Sequence, residues 1–310
     1  MRRALALLAA AAALAGCGAG AGDESGGFTL TVTRDFGQET LGDPVSGDAT
    51  ESDTVMRLLQ RDFTVDTRFG GGFVQAIDGL SGGREDGHSV DWFFYVNGIE
   101  SSAGAASRRV ADGDRIWWDH HIWERAMRIP AVVGSFPEPF LSGTEGKRIP
   151  VKLVCAGDDE RTCDEVQARL VEAGIETVSR AALQQSAGEQ VLRVIVGPWS
   201  EVRRDPVARR LEGGPGESGV FARPDPSGAE FGLLDAAGRA VRHLGAGGGL
   251  VAATTGEGQA PTWVVTGTDE VGVAAAAAAM QENRLQGHFA LAVESGRGLP
   301  LPVSGPGTGP

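Results

Sequence analysis

The sequence predicts an α+β chain of two successive units, and three observations carry that prediction. Phe28, Leu30 and Val32 alternate with Thr29, Thr31 and Thr33, the period of two expected of a half-buried strand. One helical pattern then precedes several aromatic, β-prone runs, an order of strand, helix and strands that fits an α+β layout. Beyond residue 150, apolar strands are interleaved with two amphipathic helices, which suggests an α/β or α+β sandwich.

The elements follow in order. Arg2 and Arg3 precede an Ala/Leu run over residues 4–15, shorter than the roughly 20 apolar residues that span a bilayer, so residues 1–16 read as a signal peptide. The run ends in Leu14, Ala15, Gly16 and Cys17, which resembles the lipobox of bacterial lipoproteins. Cys17 is therefore the expected lipidation site, carrying a diacylglycerol and palmitate anchor, and residues 17–27 are a flexible tether. Ser52 or Asp53 is expected to cap a helix reaching about Phe63, with Val55, Leu58 and Leu59 on one face. Strands are expected at 73–77, ending in Asp78 and Gly79, and at 91–96, ending in the hairpin pair Asn97 and Gly98. A further strand begins after Asp112, Gly113 and Asp114 and runs to Trp123.

Thr54 to Leu59, Gly72 to Val74 with Ile77 to Gly79, Trp92 to Gly98, and Asp112 to Trp117 stand in the order of one known family. Over residues 28–123 the chain resembles the transcobalamin-like C-terminal domain family. The resemblance implies a β-grasp-like domain, and cobalamin or another corrinoid as its ligand. The helical barrel that completes the animal cobalamin carriers has no counterpart here, so any partner surface would come from the second half or from another protein.

Residues 124–150 hold Pro130, Pro137, Pro139 and Pro150 and read as an interdomain linker. The second domain, 151–295, resembles no family recognised from its residues. It opens with a strand at 151–155 and a helix whose Thr162 and Glu165 fit a capping box, ended by Gly174. Strands are expected at 191–197, 219–223, 230–234, 249–254 and 262–266. Thr268 or Asp269 caps an Ala-rich helix to about Leu285, and a strand at 288–293 follows. The Gly/Pro-rich residues 296–310 read as a disordered tail.

A net charge of −13 argues against a nucleic-acid partner and against a polybasic grip on anionic lipid, so attachment to the cell membrane falls to the lipid on Cys17. Two cysteines remain, Cys155 and Cys163. In an exported chain they read as a disulfide, ahead of two free thiols or a metal site, since no histidine lies between His121 and His243.

Catalytic patterns are weak. Gly79, Ser81 and Gly83 match the spelling of a hydrolase nucleophile elbow, but the polar run from Arg84 to His88 is a poor start for the helix that motif requires. The glycines at 245 and 247–249 lack nucleotide-binding spacing. Nothing makes a positive case for an enzyme or a resident metal. His120 and His121 point to opposite faces of a strand and cannot chelate one ion together.

The aromatic runs at 92–95 and 117–123 place aromatic side chains on both strand faces. Two outcomes are open: burial on both sides against the second half, or one face exposed as a ligand platform. For the platform, Tyr95, Trp117, His121 and Trp123 are the expected ligand-binding residues, with Ile116, Trp118 and Ile122 in the core. The expected function is that of an extracytoplasmic, lipid-anchored binding protein, presenting a corrinoid or similar nutrient to transporter subunits. A surface protein-interaction or structural module is the alternative.

Overall fold

A computed structural model describes residues 27–144, 146–157, 160–175, 178–183 and 190–304. The expected signal peptide, the lipidation site Cys17 and tether residues 18–26 lie outside the described residues.

The first half is built on two parallel strands. β1 (Phe28–Arg34) pairs in parallel with a late strand, and the intervening chain supplies β2 (Glu39–Thr40), β3 (Val45–Gly47) and helix α1 (Val55–Asp62). After these come β4 (Val65–Arg68), β5 (Phe73–Ile77), β6 (Leu80–Ser81), β7 (Gly83–Glu85), β8 (His88–Val96), β9 (Ile99–Glu100) and the late strand itself, β10 (Arg115–Ile122). The main sheet runs β2-β1-β10-β8-β7, with β3 on β1 and β9 on β8, while β4, β5 and β6 form a separate small sheet. Val55, Leu58 and Leu59 of α1 cover Phe28, Leu30, Val32, Ile116 and Trp118, giving the β-grasp-like layer of one helix on a mixed sheet.

The N-cap of α1 is Thr54, whose hydroxyl accepts the Arg57 N–H at 3.3 Å. Neither expected residue caps it, because the Asp53 carboxylate is committed to Thr50 and Arg61. Asp78–Gly79 and Asn97–Gly98 both have positive φ at each position, the backbone that lets a two-residue turn follow the strand twist. Residues 80–81 and 83–85 are strands, so Ser81 sits on a hairpin and no helix follows it.

The second half is one seven-stranded mixed sheet. Its elements are β11 (Val151–Cys155), α2 (Glu160–Glu172), β12 (Val178–Ala181), β13 (Leu192–Pro198), α3 (Trp199–Val202), α4 (Pro215–Ser218), β14 (Ala222–Pro224), β15 (Phe231–Leu234), β16 (Ala240–Leu244), β17 (Gly249–Thr254), β18 (Thr262–Gly267), α5 (Glu270–Ala278), α6 (Glu282–Leu285), β19 (Ala290–Glu294) and β20 (Arg297–Leu301). The sheet order is β12-β11-β13-β18-β17-β19-β20, parallel through β18 and antiparallel beyond it, with β14-β15-β16 as a small sheet apart.

Alternation assigns the two faces. Leu153, Val194, Trp263, Val265, Val251 and Leu291 pack with α2 and α5. Val154, Ile195, Val264, Leu250, Ala252 and Ala292 point the other way, into a core shared with Phe221, Phe231 and the first half. Helix α5 sits close to β17 and β18 because Gly272 has no side chain: a Cβ there would lie 2.1 Å from the Gly248 carbonyl oxygen.

Several expectations need correction. Thr162 lies inside α2, which begins at Glu160, and so is not its cap. The Ala-rich helix stops at Ala278; Gln281 is extended, and the bend keeps both Met280 and Leu285 buried. Residues 124–150 are not a loose linker, since Ile129, Val132, Val133, Phe136 and Phe140 are buried and Val132 and Val133 donate to the Gly98 and Phe289 carbonyls. The tail begins with a strand: β20 pairs with β19, buries Leu301, and accommodates Pro300 because an edge strand can spare a donor. Cys155 and Cys163 are bonded, with their Cα atoms 5.9 Å apart, tying the end of β11 to α2.

Both faces of β10 are core, with Trp117 5% and Trp118 2% exposed. Trp117→Ala and Trp118→Ala are each expected to cost about 3–5 kcal/mol in urea melts. A near-neutral Trp117→Ala would contradict the two-sided packing.

Candidate functional site

The strand face expected to bind ligand is turned inward. Tyr95, Trp117 and His121 are buried against the second half, where the Phe289 ring lies edge-on to all three, at 5.5, 5.0 and 5.5 Å. The His121 ring is stacked between Phe36 at 4.6 Å and Phe93 at 4.5 Å. Trp123 follows the end of β10, half-buried, its N–H donating to the Ser89 carbonyl at 3.2 Å. Tyr95, Trp117 and His121 thus form an internal seam, and Trp123 stands apart from it.

The Tyr95 hydroxyl is buried without a hydrogen-bond partner among the described residues, whereas the charged and ring-nitrogen groups around Asp119 are paired. The Asp119 carboxylate, fully buried, accepts from Phe36 N at 3.0 Å, Gly37 N at 2.8 Å and the Thr33 hydroxyl, and its Oδ1 lies 2.7 Å from His121 Nδ1. Trp117 Nε1 donates to the Thr33 hydroxyl at 2.7 Å. With its Nδ1 engaged and both ring faces covered, His121 is not presented to a ligand.

An accessible groove lies on the outer side of the first half. Its floor is Trp92, Phe94 and Trp118, one wall is Phe73 and Val74 of β5, and the other is the loop from Glu100 to Ala105; the cavity is about 260 Å³. Period two places Trp92 and Phe94 of β8 on the Trp118 side of the sheet, and Phe94 stacks on Trp118 at 4.8 Å. Phe69, 88% exposed, stands edge-on to Phe73 at 6.2 Å, at the tip of a hairpin whose turn takes positive φ at Gly70 and Gly71.

Two features give the groove chemical character. The indole N–H of Trp118 is buried without a hydrogen-bond partner among the described residues, whereas that of Trp92 donates to the Leu80 carbonyl at 3.0 Å. Such an orphaned donor costs about 1–3 kcal/mol, and this one has no open surface of its own. At the rim, burial pushes the Glu100 carboxyl above its ordinary value, and the Arg128 guanidinium, 3.3 Å away, only partly opposes it. The arrangement suits an aromatic or apolar group.

Among the described residues no group of three or more His, Cys, Asp or Glu side chains could hold a metal ion. Trp118 lies in the core as expected, 2% exposed; the groove beside it depends on Phe73, Val74 and residues 100–105, which meet only in the fold. The available signals were the aromatic flanks of the Gly70–Gly72 run and the small residues from Ser101 to Ala105.

Residues 52–121 match the model of a family described as a domain of unknown function, DUF4430. The match covers α1 through β10 and so includes the whole groove; it falls on the elements whose motifs resemble the transcobalamin-like family. No curated protein matches the chain. Among solved structures, a protein from Ruminococcus gnavus described as a candidate metal-binding protein is 18% identical, covering 31% of this chain and 96% of that one, with a TM-score of 0.26. Haptocorrin in complex with Cbi is also 18% identical, with a TM-score of 0.25; the match covers 32% of this chain and 26% of haptocorrin, about a quarter of its length.

Glu100 generates a pH prediction. Its carboxyl is raised by burial, so the folded chain holds this proton more tightly than the unfolded chain. The associated stability is full below the ordinary carboxylate value and is lost as pH rises to the raised one. Urea midpoints are expected to fall across that window, and to fall less in Glu100→Gln. Identical pH profiles for the two proteins would contradict the burial of this group.

Proposed function

We propose that this chain is an extracytoplasmic lipoprotein, held to the outer face of the cell membrane by a lipid on Cys17, that binds its ligand in the groove over Trp118. The observation that carries the proposal is the aromatic lining of that groove, Trp92, Phe94 and Trp118 with the exposed Phe73 on one side. Aromatic walls supply area at little entropic cost.

Size limits what can enter. A groove of about 260 Å³ lies at the lower edge of small-molecule sites and admits one ring or one substituent rather than a whole macrocycle. A corrinoid would therefore engage it through one peripheral substituent. The bulk of such a ligand would remain outside, available to a transporter subunit. We read the groove as a binding rather than a catalytic site: the Ser101 hydroxyl donates to the Ala103 carbonyl and is not aligned on a base. The exposed Phe69 favours a second reading, a partner protein inserting one aromatic or aliphatic side chain.

Two measurements test this. The full chain in detergent, titrated with cobalamin and followed by intrinsic fluorescence, is expected to saturate, and Phe73→Ala to weaken binding about tenfold, or 1.4 kcal/mol, without loss of fold. Absence of a response at micromolar corrinoid would remove that ligand, and a response untouched by Phe73→Ala and Phe94→Ala would remove the groove. Mass spectrometry of the native protein is expected to find a lipidated Cys17 at the N-terminus; an unmodified terminus elsewhere would refute the anchor.

A further inference from the structure

A second cavity, independent of the aromatic groove, opens beside α1. It is about 390 Å³ and is lined by Ser52, Thr54, Arg57, Ala106, Ser107 and Arg109. Its character is set by two guanidiniums that converge from distant parts of the sequence. Arg57 donates through Nη1 to the Ser52 carbonyl at 2.7 Å, and Arg109 through Nη1 to the Glu51 carbonyl. Consecutive carbonyls of one turn thus hold both arginines at the same cavity.

Their charges are not neutralised locally by pairing. Among the described residues neither Arg57 nor Arg109 has a carboxylate within ion-pair distance, while Arg61, Arg108, Arg115 and Arg128 of the same half each have one. The neighbouring Asp53 carboxylate is spent on Arg61 at 2.7 Å and on Thr50. Arg68 and Arg84 of this half likewise have no carboxylate within ion-pair distance among the described residues; what sets Arg57 and Arg109 apart is that they line one cavity. The N-terminus of α1 is not the attraction, since the N–H groups of Val55, Met56 and Arg57 are consumed by the Arg108 carbonyl, the Ala105 carbonyl and the Thr54 hydroxyl.

We propose that this cavity is an oxyanion site, taking a phosphate group free or as a phosphomonoester. Each guanidinium spends one N–H on the backbone and keeps the rest of its planar fork for a bidentate contact. The Ser107 hydroxyl donates to the Gly104 carbonyl and can still accept, so a phosphate bearing a proton or an ester hydroxyl gains a partner there. The cavity exceeds the size of a phosphate alone, leaving room for the group it esterifies. Because both arginines are exposed, binding is weak and falls with added salt.

The test is NMR on the full chain in detergent at low ionic strength, titrated separately with inorganic phosphate and with glycerol phosphate. Amide shifts at Ser52, Thr54 and Ser107 are expected to saturate with either ligand. Saturation by glycerol phosphate at the lower concentration assigns the site to an ester, and the reverse order assigns it to free phosphate. Arg57→Gln and Arg109→Gln should each raise the half-saturating concentration about tenfold or more, in line with the loss of a charge-assisted hydrogen bond. If either variant loses its fold, Arg109→Lys, which keeps charge but not the fork, should bind at an intermediate concentration. No saturable shift in the wild type, or one that persists unchanged in the doubly substituted chain, would overturn the proposal.

Discussion

The buried carboxylate of Asp119 is the constraint on which the arrangement of the two halves depends. A carboxylate removed from water is tolerated only when its lone pairs are met, and here two backbone N–H groups, a threonine hydroxyl and a histidine ring nitrogen meet them. Those partners come from β1, the turn that follows it, and β10. The network fixes the turn bearing Phe36, and Phe36 then packs on Phe221 and Phe289 of the second half. With this seam closed, β10 has core on both sides, and among the described residues the exposed aromatic side chains of the first half are Phe69 and Phe73, at the groove.

Much of this was legible in residues. The alternation of Phe28, Leu30 and Val32 marked β1, Asn97 and Gly98 marked a hairpin, and Asp269 marked the start of α5, because each depends on local geometry that a few side chains determine. The choice between an exposed and a covered face of β10 was not local. Trp117 and Trp118 are equally apolar, and only the position of Phe289, 172 residues further on from Trp117, decides that Trp117 is covered. The prolines at 130, 137 and 139 suggested a linker, yet Ile129, Val132, Val133, Phe136 and Phe140 between and beside them carried the apolar content of a packed segment. Pro300 and Pro302 concealed β20 in the same way, since an edge strand needs fewer donors. The groove itself joins residues of β5, β8, β10 and the 100–105 segment, a juxtaposition that only the folded chain makes.

The two proposed sites share a structural logic. The stretch from Glu100 to Arg109 forms a wall of each, with Ala105 at the aromatic groove and Ala106 and Ser107 at the arginine cavity. It is anchored from beneath by the hydrogen bonds that Val55 and Met56 donate to the Arg108 and Ala105 carbonyls. A rigid sheet and helix therefore position a surface segment that carries the recognition groups, the usual division between scaffold and function. Among the described residues, those lining either cavity all belong to the first half. The role of the second half in this account is to close the inner face of β10 and so make the first half stable enough to hold its outer face fixed.

If the Asp119 seam unites the two halves, they open together, and native-state hydrogen exchange reads this directly. Amides of β10 in the first half and of β13 and β18 in the second are expected to exchange with one common free energy, equal to that of global unfolding in urea. Exchange of β10 through a separate, lower-energy opening, with β13 and β18 still protected, would show that the Asp119 seam does not unite the halves.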